Sequence, residues 1–284
     1  MKKIFLITLL FCAGIVGAFA QEESAANAEL LPVQGDFGIS VDAAPFFKYI
    51  GNMFNGSQDN PAPYFGNKNN YELTIRGVYF LQDDASIRAA LSLNIGNEIF
   101  KGTVADDYAL TQPGYNGQTV IDVKESDFAN VDLKVGYGFH RGYGRLQASY
   151  GPQIGINFSG TRASYTYANS IQEANQTPST YNFVGNIVGF GERKLEEKSG
   201  NTFGASVGAF AGVEYFIAPK LSIGGEIGLG VNVFNTWQGE TTTEKWDTSQ
   251  GNAVENSTRS LYGKTGGVAL RTITNGGIFL SFYF

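Results

Sequence analysis

The chain has 284 residues and a formal net charge of −6, from 20 basic and 26 acidic side chains. That balance excludes the basic footprint of a nucleic-acid-binding protein and a polybasic membrane-surface anchor. With one cysteine, Cys12, and one histidine, His140, there is neither a disulfide framework nor a cluster of metal ligands, and nothing calls for a cofactor.

The first twenty residues read as an export signal. Lys2 and Lys3 precede an apolar run from Ile4 to Val16, and Ala18-Phe19-Ala20 offers a small-x-small cleavage site before Gln21. The run is too short to span a bilayer as a helix. Cys12 follows Phe11, whereas a lipidated cysteine needs a small residue before it. Cleavage after Ala20 removes two lysines and takes the charge to −8. Residues 21–34 are expected to form a short tail.

Beyond Gln34 the hydrophobic period is two, the signature of strands with unlike faces. Eight segments alternate: Asp36–Ala43, Tyr71–Leu81, Ser86–Gly96, Ala129–Phe139, Arg145–Ser159, Phe203–Ile217, Leu221–Val233 and Val268–Phe284. Most match or exceed the roughly 9–11 residues that a tilted strand needs to cross a bilayer. A composition of 37 Gly, 22 Phe and 15 Tyr suits an all-β chain. Pro152 interrupts one strand and predicts a local break in its ladder.

The connections sort by length. Gln82–Ala85, His140–Gly144 and Ala218–Lys220 are short, while Ala44–Asn70, Asn97–Phe128, Gly160–Thr202 and Phe234–Gly267 are long. Short turns at one end and long loops at the other predict a transmembrane, antiparallel, up-and-down β-barrel over residues 35–284, with both termini on the short-turn side. Eight strands is the first expectation. Ten is the alternative, reached if Gly117–Lys124 or Tyr181–Val188 supplies a further hairpin.

Charge placement agrees. Asp36, Asp42, Glu72, Arg76, Arg88, Asp132, Lys134, Arg145, Glu214, Glu226 and Arg271 all fall on the face opposite the apolar one. In a membrane barrel that face points into the lumen. Aromatic residues gather at strand ends and suggest two girdles. Phe37, Tyr79, Tyr137, Phe139, Tyr215, Phe282 and Phe284 fall near the short turns; Tyr71, Phe158, Phe203 and Trp237 fall near the long loops.

A signal ending in Ala-Phe-Ala, a first strand "GDFGISVDAAPFF", long polar loops and a terminal "FLSFYF" resemble the outer-membrane β-barrel proteins common in Bacteroidota, of the small OmpA/OmpX-like kind. The resemblance covers essentially the whole mature chain. It implies an outer-membrane address and an assembly signal read by the barrel-assembly machinery, carried by Ile278, Leu280, Phe282 and Phe284. No peptidoglycan-binding domain is expected after the last strand.

An eight-stranded barrel is just wide enough for its own side chains. The inward set of six acids and five bases is near neutral, and Phe80, Phe210, Phe216, Ile273 and Phe279 also point inward. A plugged lumen is the favoured expectation, and a narrow passive channel the alternative. Enzymatic chemistry is not expected: the lone His140 falls in a short turn, where it reads as a solvated residue. Function then moves to the loops. In "PFFKYIGNMFNG", Phe46, Phe47 and Phe54 have near-helical spacing, which suits a cap, an interfacial helix or a docking surface. Tyr165, Tyr167 and Trp246 are the other candidates for contact with a protein or glycan partner, while "ERKLEEK" reads as a solvated face. The expected role is envelope integrity or surface binding.

Overall fold

A computed structural model describes residues 30–43, 73–189, 191–259, 263–272 and 277–284. The export signal, Phe46, Phe47, Phe54, Tyr71, Glu72 and Ile273 lie outside the described residues. No helix among the described residues is long and apolar enough to cross a membrane, which says nothing about strands.

The strands are β1 (Phe37–Asp42), β2 (Leu73–Gln82), β3 (Ala85–Ala105), β4 (Thr119–Tyr143), β5 (Leu146–Thr166), β6 (Ser179–Tyr181), β7 (Ile187–Gly189), β8 (Glu192–Lys198), β9 (Thr202–Ala218), β10 (Leu221–Thr236), β11 (Glu240–Asp247), β12 (Asn252–Arg259), β13 (Thr265–Thr272) and β14 (Gly277–Tyr283). All pairings are antiparallel. They run β1–β2–β3–β4–β5–β9–β10–β14, and β14 returns to β1, so the ladder closes on itself. A closed ladder has no edge with unpaired backbone groups.

The remaining long strands continue members of this ring. Thr202 faces Thr236 and Lys198 faces Glu240, so the register between β9 and β10 carries unchanged into β8 and β11. Against β5, Ser159 faces Thr202 but Arg162 faces Lys198, which leaves one extra residue, a β-bulge, within Ser199–Asn201. β12, β13 and β14 follow one another beside β11 and β10. Counted by continuity, the described ring has eight members. The ten-strand alternative finds no support here: Gly117–Lys124 runs into β4, and Tyr181–Val188 forms a separate two-stranded sheet of β6 and β7.

Much of what was expected as loop is therefore strand. In Asn97–Phe128, Gly160–Thr202 and Phe234–Gly267 the ladder extends well past the last apolar alternation. Alternating hydrophobicity marks where one face meets an apolar medium, not where hydrogen bonding ends. Above that level the strands continue largely in polar residues, with Ile99, Phe100, Val104 and Ile121 among them. A one-turn helix α1 (Asp107–Leu110) joins β3 to β4, capped by Asp106, which accepts from the N–H groups of Tyr108 and Ala109 at 3.0 Å. Between β11 and β12 there is only a tight turn, with Asp247 accepting from Ser249 N–H at 2.8 Å and Gly251 at a φ of +67°.

The burial pattern inverts that of a soluble protein. Ile75, Ile87, Leu133, Ile154, Val207, Ile227, Leu229 and Val233 are exposed on the outside, whereas Ser40, Ser86, Ser92, Asn94, Gln153, Glu226, Asn232 and Ser281 are buried inside. His140 corrects the expectation of a solvated turn. It lies within β4, buried, and Ser86 meets its Nε2 at 2.7 Å. The turn itself begins only at Gly144, because the ladder continues through Tyr143–Leu146.

Pro152 has the expected effect. The β4–β5 ladder skips Tyr137 and Gly138 opposite Gly151 and Pro152, then resumes in the same register. The proline has no N–H to give, and β4 closes in. A Cβ on Gly151 would stand 1.9 Å from the Tyr137 carbonyl oxygen. Gly151→Ala should therefore cost about 1–3 kcal/mol or prevent folding. Urea titration of the protein refolded into vesicles measures this, and Gly189→Ala, whose Cβ meets its nearest atom at 3.4 Å, serves as the tolerated control.

Candidate functional site

Three places concentrate chemistry: the lumen, its short-turn end, and the wall where the apolar exterior stops.

In the lumen, β3 and β10 bring Arg88 Nη2 to 2.6 Å from Glu226 Oε2, with the glutamate side chain 3% exposed. The Arg88 guanidinium also stacks 3.7 Å from the Phe210 ring centre, and Arg76 stacks 4.7 Å from that of Phe279. Lys134 reaches Asp132 at 3.2 Å on its own strand. Glu214 is held by neutral donors, accepting hydrogen bonds from Ser222 Oγ at 2.5 Å and from the Tyr283 hydroxyl at 2.7 Å. A void of about 30 Å³ lies among Asp42, Arg76, Arg88, Lys134, Gln153 and Glu226. That is on the scale of one or two water molecules.

Two of the eleven charged residues assigned to the lumen sit elsewhere. Asp36 precedes β1 and forms an ion pair with Lys220 at the short-turn rim. Arg145 is exposed in the β4–β5 turn and donates to the carbonyls of Phe216 and Ile217 at 3.1 and 3.2 Å. In both cases the alternation in the sequence runs one residue past the strand. Arg271 lies in β13, with its side chain outside the described residues.

The short-turn end is packed shut. Phe80, Phe216 and Tyr283 form a buried cluster, and Leu31 and Val78 pack against it. Of the segment expected as a tail, the described part from Leu30 onward folds beneath the ring. Gly35 N–H donates to Phe80 O at 2.9 Å, Gln34 N–H to Asp83 Oδ1 at 2.8 Å, and Lys220 N–H to Leu30 O at 3.2 Å.

The aromatic residues expected as girdles are exposed. In one row of the register Phe37 faces Tyr79, and Ile87 lies between Tyr79 and Tyr137. Phe139, Tyr215, Phe282 and Phe284 complete the exposed set at this end. Phe158 faces Phe203 directly near the other end, with Trp237 two residues beyond Asn235 on the neighbouring strand. Of the terminal residues, Ile278, Phe282 and Phe284 are exposed and Leu280 is half-buried.

The third place has no counterpart in the sequence pattern. Two recesses flank the wall at the β-bulge, sharing Asp127, Phe128, Thr161, Arg162, Lys198 and Trp237. One, of about 800 Å³, reaches down to the outward side chains Ile95, Ala129 and Phe158. The other, of about 600 Å³, is bounded by Lys124, Ser126 and Ala163 of the inner face. Two of the expected contact residues lie in strands and not in loops. Trp246 is half-buried in β11, and Tyr165 is in β5, 6.4 Å from a parallel-stacked Tyr167. The segment between β5 and β8 folds over this inner face. Buried Asp122 accepts from Tyr181 N–H at 2.8 Å and Ala168 N–H at 3.0 Å, and Arg193, bonded to Glu244 at 2.7 Å, lies over the Tyr167 ring. No sequence signal short of the strand register brings these residues together. Among the described residues, no group of three or more His, Cys, Asp or Glu could hold a metal ion.

A closed antiparallel ring, polar within and apolar without, defines the class: a transmembrane β-barrel. No family model matches the chain, and no curated protein resembles it in sequence. Among solved structures, a major outer membrane protein of Thermus thermophilus aligns at 14% identity and a TM-score of 0.33, over 89% of this chain and 99% of that one. The outer membrane protein OprG of Pseudomonas aeruginosa aligns at 10% identity and 0.29, over 90% and 98%. At such scores neither likeness carries an argument about this protein.

Removing one partner of the Arg88–Glu226 pair leaves a buried charge alone. Glu226→Gln should cost about 3–5 kcal/mol, and Arg88→Met with Glu226→Leu should recover most of that. Urea titration of the three proteins in vesicles tests it. Outside the spanning segments, burial raises the Tyr167 hydroxyl above its ordinary value, despite Arg193 nearby. A raised value means stability that is present below the unfolded tyrosine pKa of about 10 and is lost as pH climbs through the folded one. Burial and Glu197 also push the neighbouring Tyr165 up to about 12, so alkaline titration followed by tyrosinate absorbance should show late-ionising tyrosines, one fewer of them in Tyr167→Phe.

Proposed function

We propose that this protein is a non-enzymatic β-barrel of an outer membrane, with a plugged lumen and a tall extracellular wall that carries its function. The inversion of burial supports the membrane reading above all. Apolar side chains such as Ile154, Val207, Ile227 and Leu229 would lose favourable transfer energy in water, about 25 cal/mol for each Å² exposed. The buried partners of the same strands are serines, glutamines and paired charges. Short turns then face the periplasm, and the extended ends of β3, β4 and β5 face outward.

The plugged reading rests on the filled interior. Phe80 and Phe216 close one end, the Arg88–Glu226 pair crosses the middle, and the void between the charges is about 30 Å³. The Ser86–His140 contact does not make a hydrolase, since Ser86 is only 1% exposed and no substrate reaches it. On this reading Ile278, Leu280, Phe282 and Phe284 form the signal for the barrel-assembly machinery. Trp246, Tyr165 and Tyr167 belong to a surface for a protein or glycan partner and serve envelope integrity.

Two experiments test this. In a planar bilayer the protein should show no stable open level, and a steady conductance of appreciable size would replace the plugged reading with a narrow channel. Leu229→Arg puts a charge on the outward face and should cost about 2–4 kcal/mol of stability in vesicles. An unchanged stability would count against the membrane-embedded barrel.

A further inference from the structure

On one side the tall wall ends at β12. All eight of its residues pair with β11, and the register runs without a bulge. Among the described residues nothing pairs with its other side. A free edge presents a row of backbone N–H and C=O groups, and proteins commonly blunt it with proline, lysine or a bulge. β12 reads NAVENSTR and has none of the three. Its residues are exposed apart from a half-buried Val254. One face of the strand adds a pattern of side chains. Glu244 faces Glu255, and Trp246 faces Ala253. Like charges directly opposite each other are unfavourable on a sheet. The Glu244 carboxylate is taken by Arg193 at 2.7 Å, whereas Glu255 forms no ion pair among the described residues. In the next row of the same face, only the methyl group of Ala253 stands between Trp246 and the free edge.

We infer that β12 accepts an extended segment of a partner protein as a further antiparallel strand, one that carries a basic residue two positions before a large apolar residue. This rests on the reading of the wall as a surface for a protein partner. Backbone hydrogen bonds along the edge supply affinity, and alternate side chains supply selectivity. The basic residue falls opposite Glu255 and sets a cation beside its carboxylate. The apolar residue, two positions on, falls opposite Ala253 and reaches across the methyl group to the Trp246 ring. Covering the indole buries apolar area and, where the incoming residue is aromatic, adds a ring contact. The donors and acceptors of a strand edge come in the alternating pattern that another strand presents. A glycan has no such repeat, so the partner is a polypeptide.

The test uses the full-length protein in phosphatidylcholine nanodiscs and a short threonine peptide with Lys-Thr-Trp at its centre. Fluorescence anisotropy of the labelled peptide reads binding, and hydrogen exchange with mass spectrometry reads the β12 amides. The peptide should bind saturably and slow exchange within Asn252–Arg259. N-methylating one alternate set of peptide amides should abolish binding, and methylating the other set should spare it, because only one set points toward β12. Glu255→Lys should weaken binding about tenfold, and a peptide with glutamate in place of lysine should recover it. Binding that survives both methylated peptides, or a Glu255→Lys variant indifferent to the charge of the peptide, would overturn the site. So would slow exchange, before any peptide is added, of the β12 amides that do not pair with β11. The edge would then be taken by another part of the chain or by a second copy. Folding of each variant is checked by the mobility shift between unboiled and boiled samples. No binding to a barrel with an intact shift would overturn this site alone. Failure of the wild type to enter the disc would overturn the membrane reading, and this site with it.

Discussion

The pairing of β1 with β14 is the constraint on which the rest depends. Hydrocarbon offers backbone N–H and C=O groups no partner, so a sheet there must close or leave a whole edge unsatisfied. The closing seam spans only Gly38–Asp42 opposite Phe279–Tyr283, and it is reinforced from within by the Ser40–Ser281 hydroxyl contact at 2.7 Å. Phe37 and Phe284 exchange hydrogen bonds in both directions at the end of the seam. Only the first and last strands of the chain can make this join, so closure is also the step of highest sequence separation and loop entropy.

Closure fixes the interior. Strands that must show apolar side chains outward have only the alternate positions left to fill the lumen, and those positions are small or polar. Glycine, serine and paired charge follow from the narrow bore. Phe210 and Phe279 fit because arginine guanidinium groups stack on their rings, which lets charge and bulk occupy the same cross-section. The short-turn end needs no charge, and there Phe80, Phe216 and Tyr283 pack as an ordinary core. Polarity in the lumen is thus graded along the axis, apolar at the turns and ionic in the middle.

The barrel class and the inward or outward side of nearly every spanning residue were legible, because both are carried by period-two alternation. The height of the wall was not. Residues such as Thr241–Thr243 keep the β-branched character that suits strands, yet without an apolar partner face they read as loop. His140 is misplaced by the sequence for a related reason: a glycine-rich, polar stretch looks like a turn, although its backbone is already paired. The Arg162–Lys198 pair was beyond reach for a different cause. The two residues are far apart in sequence, and their alignment depends on the bulge within Ser199–Asn201, which shifts register by one and leaves no mark in composition.

That bulge links the two halves of the molecule. Below it, β5 pairs with β9 and the strand faces alternate between lipid and lumen; above it, β5 pairs with β8 and both faces meet polar surroundings. An uninterrupted register would carry Gly160 and Thr161 through as ordinary ladder positions. Instead Thr161 receives Ser199 N–H at its carbonyl at 2.9 Å and donates its own N–H to Ser199 Oγ at 2.9 Å, a side chain standing in for the missing backbone acceptor. The wall stays hydrogen-bonded while its direction and chemistry change. Glycine at 200 makes this possible, because a Cβ there would overlap the Trp237 carbonyl oxygen at 1.4 Å. The same irregularity that ends the membrane-facing surface therefore shapes the recess beside it and sets two cations at its lip.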